Sequence, residues 1–237
     1  MEPYERLLAL YLPTEGEPVL FLNRLFNVPE PPCRTVWHTD TDKPVAQIAE
    51  VVDAGRPLGI DKEWPAKFLI PLMETHPGMQ VVLSSDCVDD CRACKDAEEQ
   101  ALMREASRIN DAVNEAAKHY IKAGMTEREV AVFIDALFRA HGCEGPSFTT
   151  SVSFGANAAD PHHEPVDTVL KEGDCVLFDM GCVKSRYCSD MTRTWFCGQP
   201  TEKQAAVHDL VRRANEAAEA LIKPGVRLCE LDAAARD

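Results

Sequence analysis

The stretch from Cys175 to Phe196, CVLFDMGCVKSRYCSDMTRTWF, restricts this chain more than any other. Val176-Leu177-Phe178 is a short apolar run, and Tyr187 to Phe196 carries several β-branched and aromatic residues, with Lys184-Ser185-Arg186 as a polar break between them. Two strand-like runs that close together read as a β-hairpin, and a hairpin dictates which side chains meet. With the turn centred near Lys184 and Ser185, Asp179 stands directly opposite Asp190, on the same face with Cβ atoms about 5 Å apart. Two carboxylates held that close repel unless a cation lies between them or one keeps its proton. A divalent ion is the simplest partner for hard oxygen donors. Two solvated acids on a surface hairpin remain the alternative from these residues alone.

A second constraint is an internal repeat. Val113 to Gly124 recurs as Ala214 to Gly225, at an offset of 101 residues, with seven of the twelve positions identical. Repetition at a fixed spacing marks a duplicated structural unit, although Ala- and Glu-rich helices also resemble one another by composition. In the first copy a long helix, Asp96 to Ile121, ends at Gly124. Thr126 and Glu129 then have the spacing of a capping box opening the next helix, which reaches His141. A strand-like run follows at Ser147 to Phe154. In the second copy the sequence ends at Asp237, inside the counterpart of that second helix, and the expectation is half of a duplicated domain, with an open sheet edge and an exposed apolar face.

Upstream, apolar runs at Val19 to Leu22, Thr35 to Trp37, Leu58 to Ile60 and Gln80 to Leu83 alternate with helix-like spacing at Pro44 to Val52 and Trp64 to Glu74. Strand and helix in alternation predict a small α/β domain with a largely parallel sheet over residues 1–94, with a second domain over 95–237. Trp37-His38 reads as a packed Trp beside a surface His. Cys87, Cys91 and Cys94 have the Cys-x3-Cys-x2-Cys spacing of an iron–sulfur triad. Against that reading, the triad runs straight into a helical segment, where free cysteines serve as small buried hydrophobes.

Hydrophobic residues make up 45% of the 237, enough for a core, with no apolar run long enough for a membrane span. A net charge of −14 argues against non-specific binding to nucleic acid or anionic membrane. No signal peptide opens the sequence, so a cytoplasmic location and mostly free thiols among the ten cysteines are expected.

VLFDMG followed by YCSDMTRT, with FGANAADPHHEP upstream (Phe154 to Pro165), resembles the pita-bread metallopeptidases, the family of Xaa-Pro dipeptidases, aminopeptidase P and methionine aminopeptidase. The resemblance implies an α/β N-terminal domain of the creatinase/prolidase kind followed by an α+β pita-bread domain, of which about the first half lies within residues 95–237. It implies two divalent metal ions, Mn²⁺ first with Zn²⁺ or Co²⁺ as alternatives, and it matches Asp179 and Asp190 to the first two ligands. The remaining His and two Glu ligands, with a glutamate as general base, fall beyond Asp237 in the family's order.

His162 matches the family's substrate-side histidine, in contact with the scissile carbonyl or its tetrahedral intermediate; His163 has no counterpart role. The expected chemistry is hydrolysis of Xaa-Pro bonds in proline-containing peptides by a metal-activated hydroxide, of dipeptidase or aminopeptidase P type, in a homodimer when full-length. This chain by itself is expected to be inactive. The N-terminal domain disfavours methionine aminopeptidase, and the retention of both aspartates disfavours a metal-free creatinase-like enzyme. Arg193 is expected to pair with a carboxylate. Two other classes stay open: a non-catalytic binding protein on the same fold, and an iron–sulfur protein using Cys87, Cys91 and Cys94.

Overall fold

The computed structural model describes residues 6–237. The chain divides into two compact units, between Cys94 and Lys95.

In the first unit, β1 (Leu8–Tyr11), β2 (Val19–Asn23) and β3 (Arg34–His38) form one sheet, followed by α1 (Pro44–Ala49), β4 (Leu58–Ile60), α2 (Ala66–Thr75), β5 (Val81–Leu83) and α3 (Asp86–Ala93). β2 and β3 are parallel, as are β4 and β5, but β1 is antiparallel to β2, and β4–β5 is a separate two-stranded sheet. The expectation of one largely parallel sheet is therefore corrected. The antiparallel strand was missed because Leu8-Ala9-Leu10 are good helix formers with no β-branched residue; tertiary pairing overrides that preference. Leu7, Val19, Phe21, Ile48, Val52, Leu72 and Met79 form the core of this unit.

The Trp37-His38 reading is reversed. His38 is buried, with Nε2 3.0 Å from the Leu7 carbonyl and Nδ1 3.3 Å from Asn23 Nδ2. Trp37 is half-exposed beneath the Arg24 guanidinium. A buried imidazole is tolerated because both ring nitrogens find partners. The cysteine triad is corrected on both counts. Cys87, Cys91 and Cys94 are all exposed, so they are not buried hydrophobes. Nor, among the described residues, does any group of three or more His, Cys, Asp or Glu side chains have the arrangement to hold a metal ion.

The second unit opens with α4 (Ala97–Tyr120) and α5 (Glu127–Ala140), each started by a reciprocal capping box, Asp96 with Glu99 and Thr126 with Glu129. Then come β6 (Gly145–Pro146), β7 (Ser151–Phe154), a 3₁₀ turn (Gly155–Ala159), β8 (Cys175–Met180), β9 (Cys182–Lys184), β10 (Tyr187–Cys188), β11 (Met191–Phe196), α6 (Glu202–Glu219) and α7 (Leu228–Arg236). The strands form two antiparallel sheets of three, ordered β11-β8-β7 and β10-β9-β6. β8 alternates strictly: Val176, Phe178 and Met180 are buried while Cys175, Leu177 and Asp179 are only half-buried. The buried three pack with Val113 and Ala117 of α4 and Val130, Ile134 and Phe138 of α5. Burial of each large apolar side chain stabilises the fold by roughly 1.5–3 kcal/mol. This packing leaves Asp179, with Thr192 and Thr194 of β11, on the opposite face of the sheet.

The repeat is structural as well as sequential. α7 begins at Leu228, 101 residues after α5 begins at Glu127, and Gly124 and Gly225 both take left-handed backbone, φ 98° and 87°. The two copies differ in what covers them. Ala106, Val113 and Ala117 of α4 are buried, whereas α6 and α7 contain no buried residue, with Val207 52% and Leu228 81% exposed. No helix among the described residues is long and apolar enough to cross a membrane.

Candidate functional site

β8 to β11 form one long bent ribbon. Its tip is a two-residue turn, Ser185-Arg186, at φ 51° and 67°. Two successive positive φ values define the type I′ turn, whose twist matches that of the flanking strands. Lys184 therefore pairs with Tyr187, and Thr192, not Asp190, pairs with Asp179. The register is the same on both sides of the break between β10 and β11, so Gly181 stands opposite Asp190. The sequence expectation of directly opposed aspartates is corrected by one residue in the turn centre. A shift of two in the pairing preserves the face, so Asp179 and Asp190 lie diagonally on one face, a geometry with Cα atoms about 7–8 Å apart.

The bend between the aspartates is built by Gly181, Ser147 and Ser189. Ser147 N–H donates to the Gly181 carbonyl (3.0 Å), and its hydroxyl donates to the Ser189 carbonyl (2.8 Å). The Ser189 hydroxyl in turn accepts from Cys182 N–H (3.0 Å). A Cβ on Gly181 would overlap the Ser189 carbonyl oxygen and the Ser147 hydroxyl. Only glycine fits this close approach.

Asp179 is half-buried and accepts a 2.8 Å hydrogen bond from the Thr192 hydroxyl on Oδ1, while Asp190 is exposed. Asp190 to Arg193 line a pocket of about 470 Å³ together with Ser107, Asn110, Asp111 and Asn215. Asn110 is buried, and its Nδ2 donates to the Met180 carbonyl at 3.0 Å. Arg193 forms no ion pair among the described residues; its guanidinium bonds the Thr192 carbonyl. The expected carboxylate partner is not there.

The histidine loop crosses the same face. Ser151 of β7 pairs with Asp179 across the sheet, and its hydroxyl donates to the His163 carbonyl at 2.9 Å. His162 is exposed; its backbone N–H closes an Asx turn on Asp160 Oδ1 at 2.9 Å. His163 points the other way, its Nε2 2.8 Å from Glu127 Oε2. The face thus carries Asp179, Asp190 and, through Ser151, the anchor of the His162 loop. These residues do not form a closed ligand shell, since no three metal-ligating side chains converge among the described residues.

Glu127, fully buried at the first turn of α5, is the group sequence reasoning missed. Burial pushes its carboxyl up, but hydrogen bonds from His163, from the Asn157 amide, and from the Phe154 and Val166 N–H groups outweigh this and hold it below the usual glutamate range. An ionised carboxylate only accepts, so His163 Nε2 carries the proton. No signal marked it, because an acid in the first turn of a helix reads as an ordinary dipole partner. Because the folded value is depressed, the stabilisation is complete above the unfolded glutamate pKa of about 4.3 and is lost as pH falls through the lower folded value. The expected result is that hydrogen-exchange protection of the Phe154 and Val166 amides persists at pH 5 and disappears only on further acidification. Loss of that protection between pH 7 and 5 would contradict it.

A bent antiparallel ribbon with two acids on one face, bordered by a histidine loop and backed by paired helices, is the arrangement of the pita-bread fold. Residues 101–237 match metallopeptidase family M24, and the chain belongs to that family. It is 34% identical, over 247 aligned positions, to an uncharacterised peptidase of Staphylococcus aureus, covering 100% of this chain and 68% of the relative. Among solved structures it is similar to prolidase from Thermococcus sibiricus (30% identity, TM-score 0.91) and dipeptidase PepE from Mycobacterium ulcerans (31%, TM-score 0.88). Each alignment covers 100% of this chain and 66% of the other. The chain thus spans about two thirds of the length of these relatives.

Proposed function

We propose that this chain carries the first carboxylates and the substrate-side histidine of a Xaa-Pro peptidase, of dipeptidase or aminopeptidase P type. The observation that carries the reading is that Asp179 and Asp190 share one face of one ribbon, with the His162 loop tied to Ser151, the cross-strand partner of Asp179. The donor set suits a hard divalent ion: carboxylate oxygens select Mn²⁺, with Zn²⁺ or Co²⁺ as alternatives. Asp179 and Asp190 would hold two such ions, which supply polarisation of the scissile carbonyl and a lowered pKa for the attacking water.

The chain's own residues do the rest. Thr192 orients the Asp179 carboxylate by donating to Oδ1 and leaves Oδ2 free to face an ion. The exposed His162 imidazole is available to hydrogen-bond the substrate carbonyl and stabilise the charge that develops there. A cytoplasmic location, homodimerisation and a creatinase/prolidase-like N-terminal domain belong to the same proposal. Two carboxylates fall short of the roughly six oxygen ligands a hard ion takes, so these residues alone would hold one weakly; a second reading is a non-catalytic binding protein on this fold.

Calorimetric titration with Mn²⁺ tests both readings. Binding to the 237-residue chain is expected to be weak, with Kd about 10⁻⁴ M or above, and to be abolished by Asp179→Asn or Asp190→Asn. Tight binding of two ions would overturn the donor count. Weak binding that neither substitution changes would remove the aspartates from the site.

A further inference from the structure

We infer that Glu127 and His163 are positioning residues that hold the His162 loop over the Asp179 face. The inference rests on reading His162 as the substrate-side residue and goes beyond it by assigning what fixes that residue in place. His163 is pinned at two points on different elements. Its side chain donates to Glu127 on α5, and its backbone carbonyl accepts from Ser151 on β7, across the sheet from Asp179. The residue before it therefore has little freedom, while its own imidazole stays exposed.

Glu127 is the hub of this arrangement. Its two oxygens take donors from both ends of the loop: Phe154 N–H (2.8 Å) and Asn157 Nδ2 (2.9 Å) on Oε1, His163 Nε2 (2.8 Å) and Val166 N–H (3.1 Å) on Oε2. One carboxylate thus closes a loop of about a dozen residues into a fixed shape, a task for which a buried, charge-assisted acceptor is well suited. The segment after the loop has backbone bonds of its own to the start of α5, Glu127 N–H to the Thr168 carbonyl and Leu170 N–H to the Met125 carbonyl. Loss of the Glu127–His163 bond would release the 155–164 arc without unfolding what lies beyond it. Neither residue touches the reacting atoms in this arrangement, and both act through His162.

The test uses the 237-residue chain with ¹³C/¹⁵N-labelled histidine, and needs neither metal nor peptide. His163→Ala is expected to raise amide exchange at Asp160, His162 and His163 about tenfold or more, and to shift or broaden the His162 imidazole resonance. Val113 and Val130 in α4 and α5 should keep their protection. Glu127→Gln presents an NH₂ to existing donors and is expected to act in the same direction. His163→Gln can still donate to Glu127 and is expected to restore most of the loop protection, a rescue that generic destabilisation would not give. Unchanged loop exchange and an unmoved His162 signal in His163→Ala and Glu127→Gln would overturn the assignment. So would a loss of protection spread evenly through α4 and α5 in all three variants. The peptidase reading would survive either result, and an inactive enzyme would leave these readouts intact.

Discussion

Incubated with Mn²⁺ and Ala-Pro or Gly-Pro, the 237-residue chain is expected to release no free amino acid above the metal-only blank, while a longer relative such as the Thermococcus sibiricus prolidase serves as the positive control. The reason lies in the residues that meet at the site. Asp179 and Asp190 share a face at diagonal positions, and no third metal-ligating side chain joins them among the described residues. His162 stands exposed on its loop. Attack on an amide needs the water, the carbonyl and the proton acceptor held within hydrogen-bond reach of one another. Groups that act as a unit lose nearly all their effect when part of the set is absent, roughly 10⁴-fold or more in measured cases. Metal-dependent turnover by this chain that vanishes in Asp190→Asn would show that the site completes itself, for instance across a dimer, and would overturn the donor-count argument. Turnover that survives Asp190→Asn would place the activity elsewhere.

What could be read in advance followed from apolar runs and caps. The apolar run Val176-Leu177-Phe178 announced a strand, and Thr126 with Glu129 announced the start of α5. The face shared by the two aspartates was legible too, because parity along a strand survives an even shift in pairing. The register itself was not. A type I′ turn is signalled by Asn-Gly or Gly-Gly, and Ser185-Arg186 gives no such mark, although both residues take positive φ. Long-range pairing supplies what the local sequence lacks.

Buried polar groups were the other blind spot. His38, Asn110 and Glu127 are each buried because a partner distant in sequence waits for them: the Leu7, Met180 and Phe154 main chains respectively. Their identity alone predicts a surface position. The exposed cysteines of α3 make the opposite point, since residues commonly found inside lie on the outside of a short helix. The separation of the two units, by contrast, coincides with the start of the long helix whose repeat could be read directly.

Gly181→Ala is expected to destabilise the second unit by about 3 kcal/mol or more, at the upper end of overpacking effects. Gly181 is buried, and the added methyl would fall on the Ser189 carbonyl oxygen, a backbone atom that cannot rotate away. The second atom in its path, the Ser147 hydroxyl, is a side-chain group that could move at the cost of its 2.8 Å bond to Ser189. These two obstacles can be separated. Ser147→Ala alone removes one hydrogen bond, an expected loss of about 1 kcal/mol. If the hydroxyl were the main obstruction, Ser147→Ala would largely rescue Gly181→Ala. If the carbonyl is, the double variant stays close to Gly181→Ala, and that is the expected result. Urea unfolding followed by far-UV circular dichroism measures all three. Because Gly181 stands opposite Asp190 and two residues from Asp179, the methyl must also push apart the strands that align the two carboxylates. The residual Mn²⁺ binding of the native chain should therefore be lost in Gly181→Ala even at temperatures where the variant remains folded. A variant within 1 kcal/mol of the native chain that still binds Mn²⁺ would mean that the bend is not what holds the aspartates on one face.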